Sequence, residues 1–387
     1  MRSVTKRRKL TAGIALIGAL APTPVPGAGL RSSFRPGEVW LDTSGKPIQA
    51  HGGSMIQVGD VFYWYGENKE FTSGDLKVWT WGIRCYKSTD LYNWDDLGLI
   101  IPPNENDKSQ PLHFSRFVDR PHIIYNATTK KFVCWIKVMD EPYQTRTILV
   151  ADRITDPYKR VQSGLRPLGM SAGDFDLVIS LDDAKAYMYF ERVHSEMICA
   201  DLTEDYTNFS GYYSTHLPRP GPPSVREGIA YFARRGRHYI VSSGTTGYFP
   251  NPSEVAVADS FHGPFLTLGD FHPSDQTRTS FNSQISCIFK HPMKKDLYIA
   301  MADRWMGPLS GPEFESGDTS RSAESAFRKH FSNPSEAFTE SEAKIFGKSG
   351  TLDTNTSKSR YVWLPIRFEG DRPYIEWHSE WTLDEFE

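Results

Sequence analysis

A short apolar segment, a polar or glycine-containing turn and an aromatic-rich strand recur along the chain. The copies read SMIQVGDVFYWYGE, HIIYNATTKKFVCWIKV, DLVISLDDAKAYMYFE, IAYFARRGRHYIVSSG and ISCIFKHPMKKDLYIAMADRW. Apolar and polar positions that alternate with a period of two are typical of half-buried β-strands, and the polar turns are typical of hairpins. Each copy therefore predicts a pair of antiparallel strands.

The spacing of these hairpins predicts the fold. Their turns centre near Asp60, Lys130, Asp183, Gly236 and Lys294. Most copies are followed by a second strand pair, as in WGIRCYKSTDLYNWDDLG and SEVAVADSFHGPFLTLG. Five units with room for four short strands each are what an all-β, five-bladed β-propeller requires, and this fold is our prediction. A β-sandwich or two tandem β-domains are the alternatives.

Two segments depart from the repeat. Residues 1–29 place a basic stretch ahead of the apolar run Leu10–Ala21, which is typical of a secretory signal peptide and too short to span a membrane. Residues 306–360 are rich in Ser, Glu, Lys and Gly, and their SAESAFRKHF has helical spacing. We expect a secreted, extracellular protein with one catalytic propeller domain over 30–387 and a partly helical insert in its last blade.

Composition narrows the possible functions. The net charge of -3 provides no general attraction to nucleic acid or to a membrane, so neither is an expected partner. The four cysteines, Cys85, Cys134, Cys199 and Cys287, lie far apart in apolar runs without metal-ligand spacing. Buried free thiols are therefore favoured over a disulfide, and a zinc site is not expected. The aromatic content of 13% suits β-sheet cores and sugar-stacking surfaces.

Three carboxylates stand at the same place in successive units, next to the first apolar strand. They are Asp119, Asp174 and Glu227. The innermost strands of a propeller start near the central channel, so these residues are expected to converge on one pocket. Glycosidic cleavage needs one protonated carboxyl, for which Glu227 is our candidate, and the charge of Asp174 is expected to raise its pKa. The alternative is local pairing of Asp119 with Arg120 and of Glu227 with Arg226.

Several longer motifs point to a known family. They read AHGGSMIQVGDVFYWYGE, GIRCYKSTDLYNW, DRPHIIYN, DFDLVISLDDAKAYMYFE, REGIAYFARRGRHYIVSSGTTGYFPNPS, FNSQISCIF, ADRW and YVWLPI. Together they resemble glycoside hydrolase family 43, and most of all its branch with exo-β-1,3-galactanases. The resemblance implies cleavage of O-glycosidic bonds in plant-type polysaccharides with inversion. Alternatives are an α-L-arabinofuranosidase, β-galactofuranosidase or β-xylosidase of the same family, or a non-catalytic glycan-binding propeller.

The resemblance also implies roles for individual residues. Glu227 matches the general acid of the family and Asp174 its pKa-modulating aspartate. The usual catalytic base, an Asp at the start of the first unit, is replaced by 51–53, His-Gly-Gly. The galactanase-like branch shares this departure, and there a Gln of the fifth unit, corresponding to Gln284, positions or activates the water. Because an amide is a poor base, we expect Asp119 to supply charge beside it.

The remaining expectations concern the backbone and the surroundings of the acid. Gly228-Ile229 replaces the usual Ala-Pro after Glu227, which predicts a less rigid backbone. The expected sugar contacts are His51, Glu67, Arg120, Tyr248, Asn251, Asp303, Arg304 and Trp305, with Tyr248 and Trp305 as stacking rings. No cofactor and no metal site are predicted, although some relatives carry a structural calcium. The expected partner is a polysaccharide or oligosaccharide substrate, bound by a monomer.

Overall fold

A computed structural model describes most of the chain. It covers residues 29–140, 142–306, 316–346 and 354–387. The predicted secretory signal, except for its last residue, lies outside these ranges, and so do two parts of the predicted insert. No helix in the four ranges combines the length and the apolar character that crossing a membrane requires.

Within the described ranges, β-strands form five sheets of four consecutive strands. The first contains β1 (His51–Val58), β2 (Val61–Glu67), β3 (Ile83–Ser88) and β4 (Asp95–Ile101). The second contains β5 (Phe117–Asn126), β6 (Lys131–Asp140), β7 (Tyr143–Ala151) and β8 (Lys159–Leu165). The third contains β9 (Ala172–Ile179), β10 (Ala186–Arg192), β11 (Glu196–Leu202) and β12 (Phe209–His216). The fourth contains β13 (Arg226–Arg234), β14 (Arg237–Gly244), β15 (Glu254–Ala258) and β16 (Leu266–Asp270). The fifth contains β17 (Gln284–Lys290), β18 (Tyr298–Arg304), β19 (Arg360–Glu369) and β20 (Arg372–Ile375).

The five sheets are the blades of a closed propeller, which confirms the predicted fold. All neighbouring strands within a blade are antiparallel. The first strands of the blades contact one another in cyclic order, from β1 through β5, β9, β13 and β17 back to β1. The turn between the first and second strands of each blade falls where the sequence pattern predicts it.

The ring is closed between the first and last blades by aromatic packing. Phe34 and Trp381 exchange two backbone hydrogen bonds of 2.9 and 3.1 Å, which tie the segment before β1 to the segment after β20. Their rings stack with centroids 4.1 Å apart, and Trp64 and Trp363 are buried in the same core cluster. Apolar burial and this one pair of backbone hydrogen bonds, rather than a shared strand, thus join the two ends of the propeller.

Irregular backbone marks the channel end of the five innermost strands, where the pairing register shifts near the start of each. Three of these shifts, in β1, β5 and β13, coincide with a residue of positive φ. At these places Gly52, Arg120 and Gly228 have φ values of 55°, 51° and 58°. Such bulges bend a strand and re-aim its side chains. They explain how consecutive residues of one strand can both reach the channel.

The predicted insert leaves the fifth blade between β18 and β19. It contains helices α1 (Asp318–Ser332) and α2 (Glu340–Phe346), and α1 includes the segment predicted to be helical. Ala323 and Ala326 of α1 pack with Ile345 of α2 and with Phe249 of the loop between β14 and β15. The insert is therefore seated beside the channel opening of the fourth blade. The four cysteines are free and buried, as predicted.

Candidate active site

A pocket opens at the channel end where the innermost strands begin. Eight of the twelve predicted site residues line it: Glu67, Asp119, Arg120, Asp174, Glu227, Tyr248, Gln284 and Trp305. Four innermost strands, the end of β2 and two loops supply these side chains, so the convergence expected from the repeat position is present. The pocket also contains seven residues that sequence reasoning missed: Trp79, Lys137, Met139, Gln144, Glu191, His194 and Gly247.

Glu227 is held in a site that favours its protonated form. Burial raises the pKa of Glu227 well above its usual range, and the negative charges of Asp174 and Glu191 raise it further. Lys137 and Arg120 act in the opposite direction but do not cancel the effect. Among the described residues, none forms a hydrogen bond with the Glu227 carboxyl. Its proton is therefore available to a bound ligand.

The pKa of Asp174 is shifted in the opposite direction. Burial alone would raise its pKa, but the charges of Arg120 and Lys137 outweigh burial and hold the pKa of Asp174 well below its usual range. Arg120 Nη2 lies 3.0 Å from Asp174 Oδ2, and Lys137 Nζ lies 2.7 Å from Asp174 Oδ1. The pocket thus combines a protonated carboxyl with an ionised one, which is the division that general acid catalysis requires.

Asp119 is positioned by the pocket wall and does not pair with its sequence neighbour. The indole N–H of Trp79 donates to Asp119 Oδ1 across 2.6 Å, and Lys137 Nζ lies 3.6 Å from Asp119 Oδ2. Arg120 instead directs its guanidinium to Asp174. Arg226 likewise turns away from the pocket, so the alternative of two local ion pairs is wrong.

The amide oxygen of Gln284 is held by two side chains that can only donate hydrogen bonds. Arg120 Nη2 and Trp305 Nε1 both donate to Gln284 Oε1, the latter across 3.1 Å. Because neither side chain can accept a hydrogen bond, these contacts fix which amide atom is oxygen. Gln284 Nε2 donates to Ser243 Oγ across 2.9 Å. One N–H of the amide is left to hold a water molecule or a sugar hydroxyl.

Glu67 lies at the end of β2, on the far side of Arg120. Its Oε2 is 2.6 Å from Lys69 Nζ, and its Oε1 accepts the backbone N–H of Arg120 across 2.9 Å. Burial raises the pKa of Glu67 to about 7 despite the charge of Lys69, and the charge of Asp119 contributes. This carboxylate can accept hydrogen bonds from a sugar and also supports the bulge of β5.

Two of the residues predicted to contact sugar, His51 and Asp303, form a buried layer behind the pocket. His51 is fully buried, with Nδ1 2.9 Å from Asp303 Oδ1, and it stacks on Tyr361. Asp303 also accepts the backbone N–H of Gly52 across 2.9 Å. A Cβ atom at Gly52 would meet Glu67 Oε1 and the ring of Trp305. The layer therefore supports pocket residues through the backbone of β1.

The other two predicted contacts stabilise loops. Asn251 bonds both backbone groups of Gly244 and thereby closes the loop that carries Tyr248. The Arg304 guanidinium donates to the backbone carbonyls of Phe281 and Asn282. Neither Asn251 nor Arg304 is among the residues that line the main pocket.

Gly228, which follows the acid, is restrained despite the absence of the usual proline. Its backbone N–H donates to Asp174 Oδ2 across 3.1 Å. A Cβ atom at this position would lie 2.8 Å from Ser243 Oγ and 3.0 Å from Gln284 Nε2. With φ at 58°, the site requires glycine for both space and conformation.

The described residues were also compared with the ligand sets that metal ions need. None of them form a group of three or more His, Cys, Asp or Glu side chains that could hold a metal. Calcium prefers six to eight oxygen ligands.

Comparison with known proteins assigns the chain to a family. The family model described as glycosyl hydrolases family 43 matches residues 46–287. The chain belongs to this family. It is therefore a glycosidase, and the carboxyl groups and the amide described above lie in the pocket of a family 43 propeller.

Solved structures share the fold over most of this family 43 chain. One β-1,3-galactosidase of the family is 26% identical, with a TM-score of 0.72, and the match covers 92% of this chain and 65% of that one. Another, solved with galactodeoxynojirimycin, is 25% identical, with a TM-score of 0.70, and the match covers 90% of this chain and 100% of that one. An exo-β-1,3-galactanase variant from Phanerochaete chrysosporium, solved with β-1,3-galactotriose, is 24% identical, with a TM-score of 0.69 and coverage of 91% and 68%. The last similarity supports the fold alone. No curated protein matches.

Proposed function

We propose that the chain is a secreted exo-β-1,3-galactanase that inverts the anomeric carbon. One observation carries the mechanism: Glu227, with its raised pKa, and Asp174, with its lowered pKa, share a pocket with an amide whose oxygen is held by two donors. This set can protonate a leaving group and orient water without a first-blade aspartate. The two β-1,3-galactosidases at 26% and 25% identity support galactose as the sugar.

Glu227 acts as the general acid in this proposal. The glycosidic C–O bond breaks as the Glu227 proton passes to the leaving oxygen. Glu227 then carries a negative charge beside Arg120 and Lys137, both of which favour the ionised form. Asp174 remains ionised throughout and keeps the acid protonated before the reaction.

The water molecule attacks the opposite face of the sugar. The free N–H of Gln284 orients the water oxygen toward the anomeric carbon, and Asp119 accepts the proton that the water loses. Gln284 Oε1 already accepts two hydrogen bonds, so the amide serves as a positioning group and the carboxylate as the base. A single displacement of this kind inverts the anomeric configuration.

Substrate assays with anomer detection test the activity. The mature protein is incubated with β-1,3-galactan, arabinan, xylan and aryl glycosides, and the released sugar and its anomer are followed by chromatography and NMR. We expect galactose from β-1,3-galactan, first in the inverted form. Arabinose or xylose as the product would favour the alternatives within the family.

A matched pair of variants tests the acid. Glu227→Gln is expected to lower hydrolysis at least about a hundredfold while glycan binding survives. Glu196→Gln removes a glutamate that pairs with Arg192 outside the pocket and is expected to leave activity near that of the wild type. Binding without hydrolysis of any substrate by the wild type would favour the non-catalytic alternative.

Secretion is proposed from the sequence of residues 1–29 alone. Its test is expression of the full chain in a secreting host, followed by N-terminal sequencing of the exported protein. We expect the exported chain to start near Gly27–Gly29. An uncleaved chain retained inside the cell would contradict this proposal.

A further inference from the structure

A second cavity on the same face is lined by four arginines. It lies between the fourth blade and helix α1, and its charged residues are Arg219, Arg226, Arg278, Arg328, Glu254 and Glu324. Three separate segments of the propeller and the insert supply the arginines. The cavity has two more positive than negative side chains, although the chain as a whole is slightly acidic. We call it the arginine cavity.

The two carboxylates do not neutralise these arginines evenly. Glu254 lies 2.9 Å from Arg219 Nη2 and 3.8 Å from Arg226 Nε. Burial raises the pKa of Glu324, although the charges of Arg278 and Arg328 lower it. Within the described ranges, neither Arg278 nor Arg328 forms a salt bridge or a hydrogen bond through its guanidinium.

Arg226 forms a preorganised floor for the cavity. Arg226 is buried, with 6% of its surface exposed, and its Nε donates to Ser242 Oγ across 3.2 Å. Its Nη2 donates to the backbone carbonyls of Ser242 and Pro252. Among the described residues, none accepts a hydrogen bond from Arg226 Nη1. A buried, fixed guanidinium with a free N–H edge is a strong donor to a bound oxyanion.

The loop that carries Arg278 links the cavity to the catalytic pocket. Four of its non-glycine residues, Arg278, Ser280, Phe281 and Asn282, have positive φ values between 54° and 57°. Asp275 accepts the backbone N–H groups of Thr277, Thr279 and Phe281 and so holds this strained loop. The loop ends next to Gln284. Backbone strain maintained by specific bonds is characteristic of functional sites.

The location of the cavity fits a glycan that extends from the pocket. Tyr248 lines the pocket, while Gly244 and Asn251, on either side of it in the same loop, line the arginine cavity. Phe331, near the end of α1, packs against His194 of the pocket with ring centroids 5.0 Å apart. Arg328 lies one turn earlier on that helix. Arg226 of the cavity directly precedes Glu227 in β13, so the cavity lies beside the strand that carries the proposed acid.

We propose that the arginine cavity binds the carboxylate or a similar oxyanion of an acidic sugar in the leaving part of the glycan. The identity of the polysaccharide that carries this acidic sugar rests on the proposed function. The binding of an anion in the cavity does not. Guanidinium groups bind carboxylate and sulfate oxygens in pairs, so one acidic substituent can be held by Arg226, Arg278 and Arg328 together.

Binding of small anions tests the cavity independently of hydrolysis. Sodium glucuronate and sodium sulfate are titrated into the full mature protein at constant ionic strength, by calorimetry and by thermal unfolding. Arg278→Ala and Arg328→Ala are each expected to weaken binding about tenfold. Arg321→Ala is the matched control, because Arg321 is on the same helix and pairs with Asp318 outside the cavity. Arg328→Lys retains the positive charge but not the paired N–H groups, so its affinity for the two anions shows whether paired hydrogen bonds contribute to binding.

Kinetics on two polysaccharides identify the source of the anion. The KM for a β-1,3-galactan bearing uronic acid is compared with the KM for the neutral polymer. A lower KM for the acidic polymer that disappears in Arg278→Ala and Arg328→Ala would support the substrate assignment. Anion binding without this preference would retain the site but overturn the acidic substrate. Equal anion affinity in the wild type and both alanine variants would overturn the site itself, whether or not galactan is hydrolysed.

Discussion

The backbone N–H of Gly228 donates to Asp174 Oδ2 across 3.1 Å. Because Gly228 follows Glu227, Asp174 acts on the acid in two ways. Its negative charge raises the pKa of Glu227, and its oxygen fixes the backbone from which the Glu227 side chain projects. Charge and geometry at the acid are therefore controlled by one carboxylate of the neighbouring blade.

Gly228→Ala is expected to change the geometry around Glu227 without changing the charges in the pocket. In Gly228→Ala the new Cβ would meet Ser243 Oγ and the amide of Gln284, so both the acid and the water-orienting group must shift. We expect activity to fall about a hundredfold with the fold retained. Gly236→Ala is the control, since Gly236 has φ at 74° but open space around it. Gly236→Ala should lose about 1 kcal/mol of stability from its positive φ alone, Gly228→Ala should lose more because of the added contacts, and only Gly228→Ala should lose activity.

The charge of Glu191 is expected to set part of the pH dependence. Activity requires protonated Glu227 and is lost as pH rises through the raised pKa of that group. Glu191→Gln removes a negative charge that raises this pKa, so the alkaline limb of kcat/KM should move to lower pH. Glu196→Gln, which removes a partner of Arg192 outside the pocket, should leave the limb in place. An unmoved limb in Glu191→Gln would count against the assigned acid.

Lys137 is expected to stabilise the fold through two buried carboxylates. It lies 2.7 Å from Asp174 Oδ1 and 3.6 Å from Asp119 Oδ2, so Lys137→Met leaves both without this counter-charge. We expect the free energy of unfolding in urea to fall by about 3–5 kcal/mol. Lys131→Met on the same strand removes only an exposed pair with Asp152 and should cost less than about 1 kcal/mol. Similar losses in the two variants would contradict this role.

The repeat pattern was sufficient to predict the blades and three of the pocket acids. Hairpin turns recur because each blade begins with the same strand pair, and Asp119, Asp174 and Glu227 occupy one position in that repeat. Gln284 came only from family resemblance, since a lone glutamine carries no pattern of its own. Lys137 was missed because a lysine in an alternating strand usually faces solvent, and only the pairing of β5 with β6 places it opposite Asp119.

The sequence motifs did not show which of their residues line the pocket and which only support the lining residues. Asp303 and Arg304 are adjacent, yet one bonds His51 behind the pocket and the other bonds a loop beyond it. Successive residues of a strand point to opposite faces, so one motif sends side chains in two directions. Arg226 and Glu227 diverge for the same reason. Which neighbour faces the channel depends on where the strand bulges, and the sequence pattern does not reveal that position.

Trp305 is expected to act on catalysis through Gln284 as well as through stacking. Trp305→Phe keeps a ring but removes the N–H that donates to Gln284 Oε1, so Arg120 is left as the one donor to the amide oxygen. A loosely held amide orients water poorly, and we expect kcat to fall about tenfold with little change in KM. Trp305→Ala should raise KM as well, because the ring is also lost. If Trp305→Phe raised only KM, Trp305 would serve as a stacking ring and Gln284 would not depend on its indole.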